Sequence, residues 1–82
     1  MWVVYILLCS DNTYYTGITN DLESRLDKHK NGLGAKYTRG RGPLKCVYVC
    51  EMIDKSSALK EEYRIKQLTR KKKIELIKSW KT

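Results

Sequence analysis

The chain has 82 residues, 17 lysines and arginines against 9 aspartates and glutamates, and 41% hydrophobic residues. A chain this short holds one modest core, burying about 60–65% of its unfolded surface, and its apolar content excludes a disordered chain. The apolar run Trp2 to Cys9 is far short of the ~18 residues a transmembrane helix needs and has no signal-peptide leader or cleavage site, so one cytoplasmic domain over residues 1–82 is expected, with no membrane partner.

Trp2 to Cys9 is continuously apolar and rich in β-branched and aromatic residues, as in a strand buried on both faces. Ser10-Asp11-Asn12-Thr13 has turn chemistry, and Tyr14 to Ile18 reads as the returning strand of a hairpin. Thr19 or Asn20 can cap a helix over about 21–31, stopped by Gly32. Residues 32–42 hold four glycines with Lys36, Arg39 and Arg41, as expected for a mobile, positive loop closed by Pro43. Leu44 to Glu51 reads as a third strand, Ser56 or Ser57 starts a helix to about Leu68, and Thr69 caps a last helix carrying Ile74, Leu76, Ile77 and Trp80. The order β-β-α-β-α-α predicts an α+β fold: a small, three-stranded, mainly antiparallel sheet flanked by helices.

Cys9, Cys46 and Cys50 make no disulfide framework. Cys46 and Cys50, four apart on a strand, are separated by roughly 13 Å, too far to share one zinc ion. All three read as small core residues. The net charge of +8 is uneven: residues 1–42 carry 6 basic and 4 acidic groups, residues 43–82 carry 11 and 5. Such a chain attracts phosphate backbones by counterion release, although a solvated lysine-rich face has the same composition. Arg70-Lys71-Lys72-Lys73 reads as an exposed helix start.

Three sets of polar residues fall where apolar ones belong. On the first helix, Leu22 and Leu26 set the inward stripe, and Arg25 and His29 project within the same sector. Inward charge is costly without a partner; either Arg25 reaches the edge and His29 caps a loop carbonyl, or both serve a site. On the second helix Ala58, Leu59 and Ile65 set the apolar face and Glu62 falls inside that arc, so it needs a cation, a metal or hydrogen bonds. A salt bridge, to Arg25 for example, is the plain alternative. Six tyrosines and no phenylalanine form the third set, because aromatic volume alone needs no hydroxyl. Tyr5 and Tyr15 share a sheet face only if the hairpin offset is even.

Val4-Tyr5-Ile6, Tyr15-Thr16-Gly17, Arg25, His29 one turn later and Glu62 in Ala58-Leu59-Lys60-Glu61-Glu62 together resemble the GIY-YIG nucleases over about residues 2–79. The likeness is strongest to the small bacterial stand-alone members, and more distant to the nuclease domains of UvrC and of Slx-type endonucleases. Val4 stands for the glycine of the first tripeptide and Thr16 for the isoleucine of the second; the late asparagine of some members has no clear counterpart. The resemblance implies the GIY-YIG fold and a metal-dependent endonuclease acting on phosphodiesters, DNA before RNA, with structure-specific nicking in repair or processing as its setting. It implies that Glu62 holds one Mg²⁺ or Mn²⁺, that Arg25 stabilises phosphoryl charge, that Tyr5 or Tyr15 orients or deprotonates the attacking water, and that His29 assists proton transfer. A nearby metal ion and Arg25 would favour the tyrosine phenolate. Lys36, Tyr37, Arg39 and Arg41 of the loop, and Lys66 one turn after Glu62, are candidate backbone contacts. A domain this small is expected to act as a monomer on shape, nicks or branches, or through a targeting protein partner, since sequence-specific interfaces bury about 1,000–2,500 Å². The alternative is a non-catalytic nucleic-acid-binding module that keeps the fold.

Overall fold

A computed structural model describes residues 1–81. Strands β1 (Trp2–Leu8), β2 (Tyr14–Thr19) and β3 (Lys45–Met52) form an antiparallel sheet in the order β2-β1-β3. Helices α1 (Leu22–Lys30), α2 (Lys55–Lys66) and α3 (Arg70–Lys81) and a 3-10 turn (Lys36–Thr38) complete the described chain. The arrangement is the expected α+β order.

The central position of β1 accounts for its unbroken apolar sequence. Val4 and Ile6 face a core with Val47, Tyr48, Ala58, Ile65 and Ile77 beneath α2 and α3. Tyr5 and Leu7, equally buried, point to the opposite face, where His29 of α1 meets Tyr5. Between β1 and β3 the register slips by one residue: Ile6 faces Tyr48 and Leu7 faces Cys46. The bulge leaves Val47 unpaired, and Val47 and Tyr48 both pack into the core. Cys9 is buried, Cys46 and Cys50 are half-buried, and all three are free thiols.

The hairpin decides the first of the sequence alternatives. Leu8 pairs with Tyr14, Leu7 with Tyr15 and Tyr5 with Gly17, so Tyr15 lies on the Tyr5 face. Asn12 turns through φ 69°, and Asp11 accepts from the Thr13 amide and hydroxyl.

Two helix starts differ from the sequence reading. Asp21, not Thr19 or Asn20, caps α1 by accepting from the Ser24 amide at 3.2 Å. Thr19 is occupied instead with the Asp21 backbone. Asp54 caps α2 through the Ser57 amide at 2.8 Å, so the helix begins at Lys55 rather than at Ser56 or Ser57. In both cases the aspartate standing directly before the first helical residue accepts from an orphan amide of the first turn, in place of the neighbouring Thr, Asn or Ser side chains. Thr69 accepts from the Lys72 amide at the start of α3, and Gly32 ends α1 at φ 75°. β3 runs one residue later than expected at each end.

Candidate active site

Arg25 and His29, four apart on α1, both turn toward the sheet. His29 is only 2% exposed. Its Nε2 lies 2.8 Å from the Tyr5 Oη and its Nδ1 lies 2.9 Å from the Thr38 Oγ1. The Thr38 hydroxyl donates its single proton to the Ala35 carbonyl at 2.9 Å, so it can only accept from His29. This places the imidazole proton on Nδ1 and leaves Nε2 bare, and the Tyr5 hydroxyl must donate to Nε2. Burial, with the Arg25 charge, pulls the His29 pKa below its usual range, which keeps the ring neutral as this chain of bonds requires. The Arg25 Nε–H donates to the Tyr5 Oη at 3.4 Å. Arg25 has therefore not simply reached out to solvent, and His29 meets a hydroxyl rather than a loop carbonyl.

Tyr5 itself is fully enclosed. Burial is the main cause that raises its pKa, and outweighs the lowering effect of the Arg25 hydrogen bond. The phenolate expected from Arg25 therefore does not prevail in the resting protein. Ordinary phenol and imidazole values differ by about 3.5 pH units, and burial widens that gap from both ends. The proton rests on Tyr5.

Tyr15 is half-buried beside this pair. Its ring centroid lies 6.4 Å from that of Tyr5 and 5.3 Å from that of His29. Tyr37 stacks against Tyr15 at 6.1 Å, and the Arg41 guanidinium covers Tyr37 at 4.3 Å. Arg41 also pairs with Asp11 of the hairpin turn, and its carbonyl accepts from the Ser10 amide. Arg41, expected to clamp nucleic acid, thus ties the loop to the hairpin. The loop is a strap, pinned by Thr38, Tyr37 and Arg41, rather than a free segment. Lys36 and Arg39 on it are exposed.

Glu62 comes from α2. Its carboxylate pairs with Lys66 at 3.4 Å, not with Arg25, and its charge is among the causes that raise the Tyr5 pKa. The neighbouring Glu61 is engaged by Arg64 through two bonds of 2.7 Å. Among the described residues no three His, Cys, Asp or Glu side chains cluster as a metal cage. Glu62 offers one carboxylate, a donor set that suits Mg²⁺, which commonly keeps several waters, and does not suit a structural zinc.

Sequence reasoning missed Thr38 and Gly34. Thr38 fixes the His29 tautomer. A Cβ on Gly34 would stand 2.3 Å from His29 Nδ1, and one on Gly17 would stand 2.6 Å from Tyr5 Oη. Gly17 belongs to a motif already noted; Gly34 and Thr38 carried no signal beyond glycine content and a turn-rich stretch. Thr38→Val, which keeps the shape and removes the hydroxyl, is expected to cost about 1–3 kcal/mol, because a buried N–H is left unsatisfied. Thermal unfolding of the two proteins measures it, and an unchanged midpoint would show that the hydroxyl is dispensable.

A tyrosine pair, a neutral histidine and an arginine, converging on one face of a three-stranded sheet, define a class of protein with recognisable relatives. The GIY-YIG catalytic domain matches residues 1–75, and the chain belongs to that family. Its relatives include a UPF0213 protein of Oceanobacillus iheyensis, 61% identical over 90% of this chain and 86% of the relative. Another, from Clostridium perfringens, is 57% identical over 93% and 82%. The solution NMR structure of a UPF0213 protein from Bacillus halodurans superposes with a TM-score of 0.62 at 47% identity, covering 95% of this chain and 84% of that one.

Proposed function

We propose that this chain is a divalent-metal-dependent endonuclease that hydrolyses phosphodiester bonds, of DNA before RNA. The observation that carries the reading is the convergence of Tyr5, Tyr15, Arg25 and His29 on one site, with the Glu62 charge acting on Tyr5. A purely structural core has no use for an arginine turned inward onto a buried phenol. Membership of a nuclease family supports it.

Glu62 would hold the Mg²⁺ or Mn²⁺, whose chemistry is to withdraw charge from a phosphoryl oxygen and acidify water. Tyr15, half-buried where Tyr5 is enclosed, is the phenol placed to orient the attacking water. Arg25 stabilises charge that develops on the phosphoryl group. Tyr5 holds Arg25 in place, and His29 Nε2 is the acceptor for the Tyr5 proton, a transfer that positive charge at the site would favour and negative charge oppose. The described residues span 29 × 27 × 23 Å. A molecule of this size, acting as a monomer, spares little surface for reading sequence, so nicks, branches or a targeting partner would select the substrate, in DNA repair or processing. The setting of this reading is the cytoplasm; no described helix is long and apolar enough to cross a membrane.

The enclosure of Tyr5 favours one second reading, a nucleic-acid-binding module without catalysis. Nicking of supercoiled plasmid and branched DNA, with Mg²⁺, Mn²⁺ or chelator, separates the two. Metal-dependent nicking that disappears in Glu62→Ala is the expected result. Binding without cleavage by the native chain on every substrate would leave only the module.

A further inference from the structure

The four basic residues that open α3 are not equivalent. Arg70, Lys71 and Lys72 are exposed, whereas Lys73 is half-buried. Lys73 lines a groove of about 250 Å³ together with Tyr14, Tyr15 and Thr16 of β2, Tyr37 of the strap and Lys66 of α2. No carboxylate is part of that lining. Lys72 has Glu75 at 3.9 Å and Lys66 has Glu62, but the Lys73 ammonium has no anionic partner among the described residues. Arg70, one turn before Lys73, lies over the Tyr14 ring at 4.8 Å, which brings a third cation to the same wall.

A cation drawn partly out of water without a counter-charge is unfavourable. Several cations along one concave wall raise the local concentration of an anion there. The groove also begins at Tyr15, so whatever lies in it is continuous with the candidate centre. We propose that this groove holds the phosphodiester backbone of the nucleic-acid substrate to one side of the bond that is cut, with the Lys73 ammonium on a phosphate oxygen. The proposal rests on the nuclease reading for its direction along the strand, but the binding it describes is independent of cleavage. Tyr14 and Tyr37 form the apolar sides that keep the strand against the lysines. The anion is a polyanionic chain rather than a lone phosphate, because the cations come from two helices, Lys66 and Lys73 lining the groove and Arg70 standing over Tyr14 outside that lining.

The test is the salt dependence of binding to a short fluorescein-labelled DNA duplex, followed by fluorescence anisotropy in chelator. Lys73→Gln is expected to remove about one phosphate contact, flattening the slope of log K against log salt by about 0.9. Over a fourfold rise in salt that is a loss of affinity about 3.5-fold smaller than for the native chain. Lys72→Gln, which removes an exposed charge already paired with Glu75, is expected to keep the native slope, and Lys73→Arg to restore it. An unchanged slope in Lys73→Gln, or an equal change in Lys72→Gln, would overturn the groove. If the native chain cuts DNA and the slope is unchanged, the groove alone falls. If the slope flattens in a chain that cuts nothing, the groove stands and the nuclease falls. Failure of the native chain to bind DNA at any salt overturns both.

Discussion

Gly34→Ala is expected to unlock the strap and to be among the most damaging single methyl additions to this protein. The added Cβ would lie 2.3 Å from His29 Nδ1, 2.7 Å from Cγ and 2.9 Å from the His29 Cα. The ring cannot simply rotate away, because Thr38 and Tyr5 hold it at both nitrogens. The third of those atoms belongs to the backbone of α1, which has no rotamer to change. Overpacking of this kind typically costs 1–3 kcal/mol, and in a domain of 60–100 residues each kcal/mol lowers the midpoint by about 4–8 °C. Gly42→Ala is the control, since nothing lies within 4 Å of a Cβ there. Thermal unfolding of both variants measures the difference. A Gly34→Ala midpoint equal to that of Gly42→Ala would show that the strap does not bear on His29 in solution.

Cleavage is expected to persist at neutral pH and to fall only when the pH drops through the folded pKa of His29, which lies below 6.5, and His29→Ala is expected to lose about 10²–10⁴-fold in rate, the usual range for a positioned proton acceptor. The folded pKa of His29 is held down by burial and by Arg25. A group depressed in this way favours the fold while it is neutral. Its contribution is complete above the ordinary value of 6.5 and is lost as the pH falls through the folded value, when unfolded chains take up the proton more readily. Activity moves in the same direction, since a protonated Nε2 can no longer accept from Tyr5. Stability is therefore lost between 6.5 and the folded value, and the rate falls at the folded value, on the acid side of the stability limb. In His29→Ala that limb should vanish from the stability curve. An NMR titration that finds His29 titrating at or above 6.5 would contradict the buried, Nδ1-protonated ring.

Much of the frame was legible in the residues. β1 announced itself by an apolar run that only a strand buried on both faces requires, and Thr69 marked the start of α3 by local chemistry. Helical periodicity alone turned Arg25 and His29 inward, since a 100° step per residue needs no knowledge of the partner. The caps at Asp21 and Asp54 were misread because several oxygen-bearing residues stand side by side at both helix starts, and the amides can choose among them only once the chain direction is set.

What the sequence by itself determined is the order of elements, the sign of the charge and the set of polar side chains forced toward the interior, because these follow from period and composition. Tertiary structure decided what those side chains meet. Tyr15 joined Tyr5 because the hairpin closed in an even register, and Glu62 took Lys66 rather than Arg25 because α1 serves the Tyr5 face of the sheet and α2 the Val4 and Ile6 face. Thr38 reached His29 from nine positions on, and Lys73 turned into a groove with residues of β2, far away in the chain. Local patterning specifies which face a residue occupies; only the folding back of the chain places another residue opposite it, and at Gly34 the space left there is too small for a methyl group.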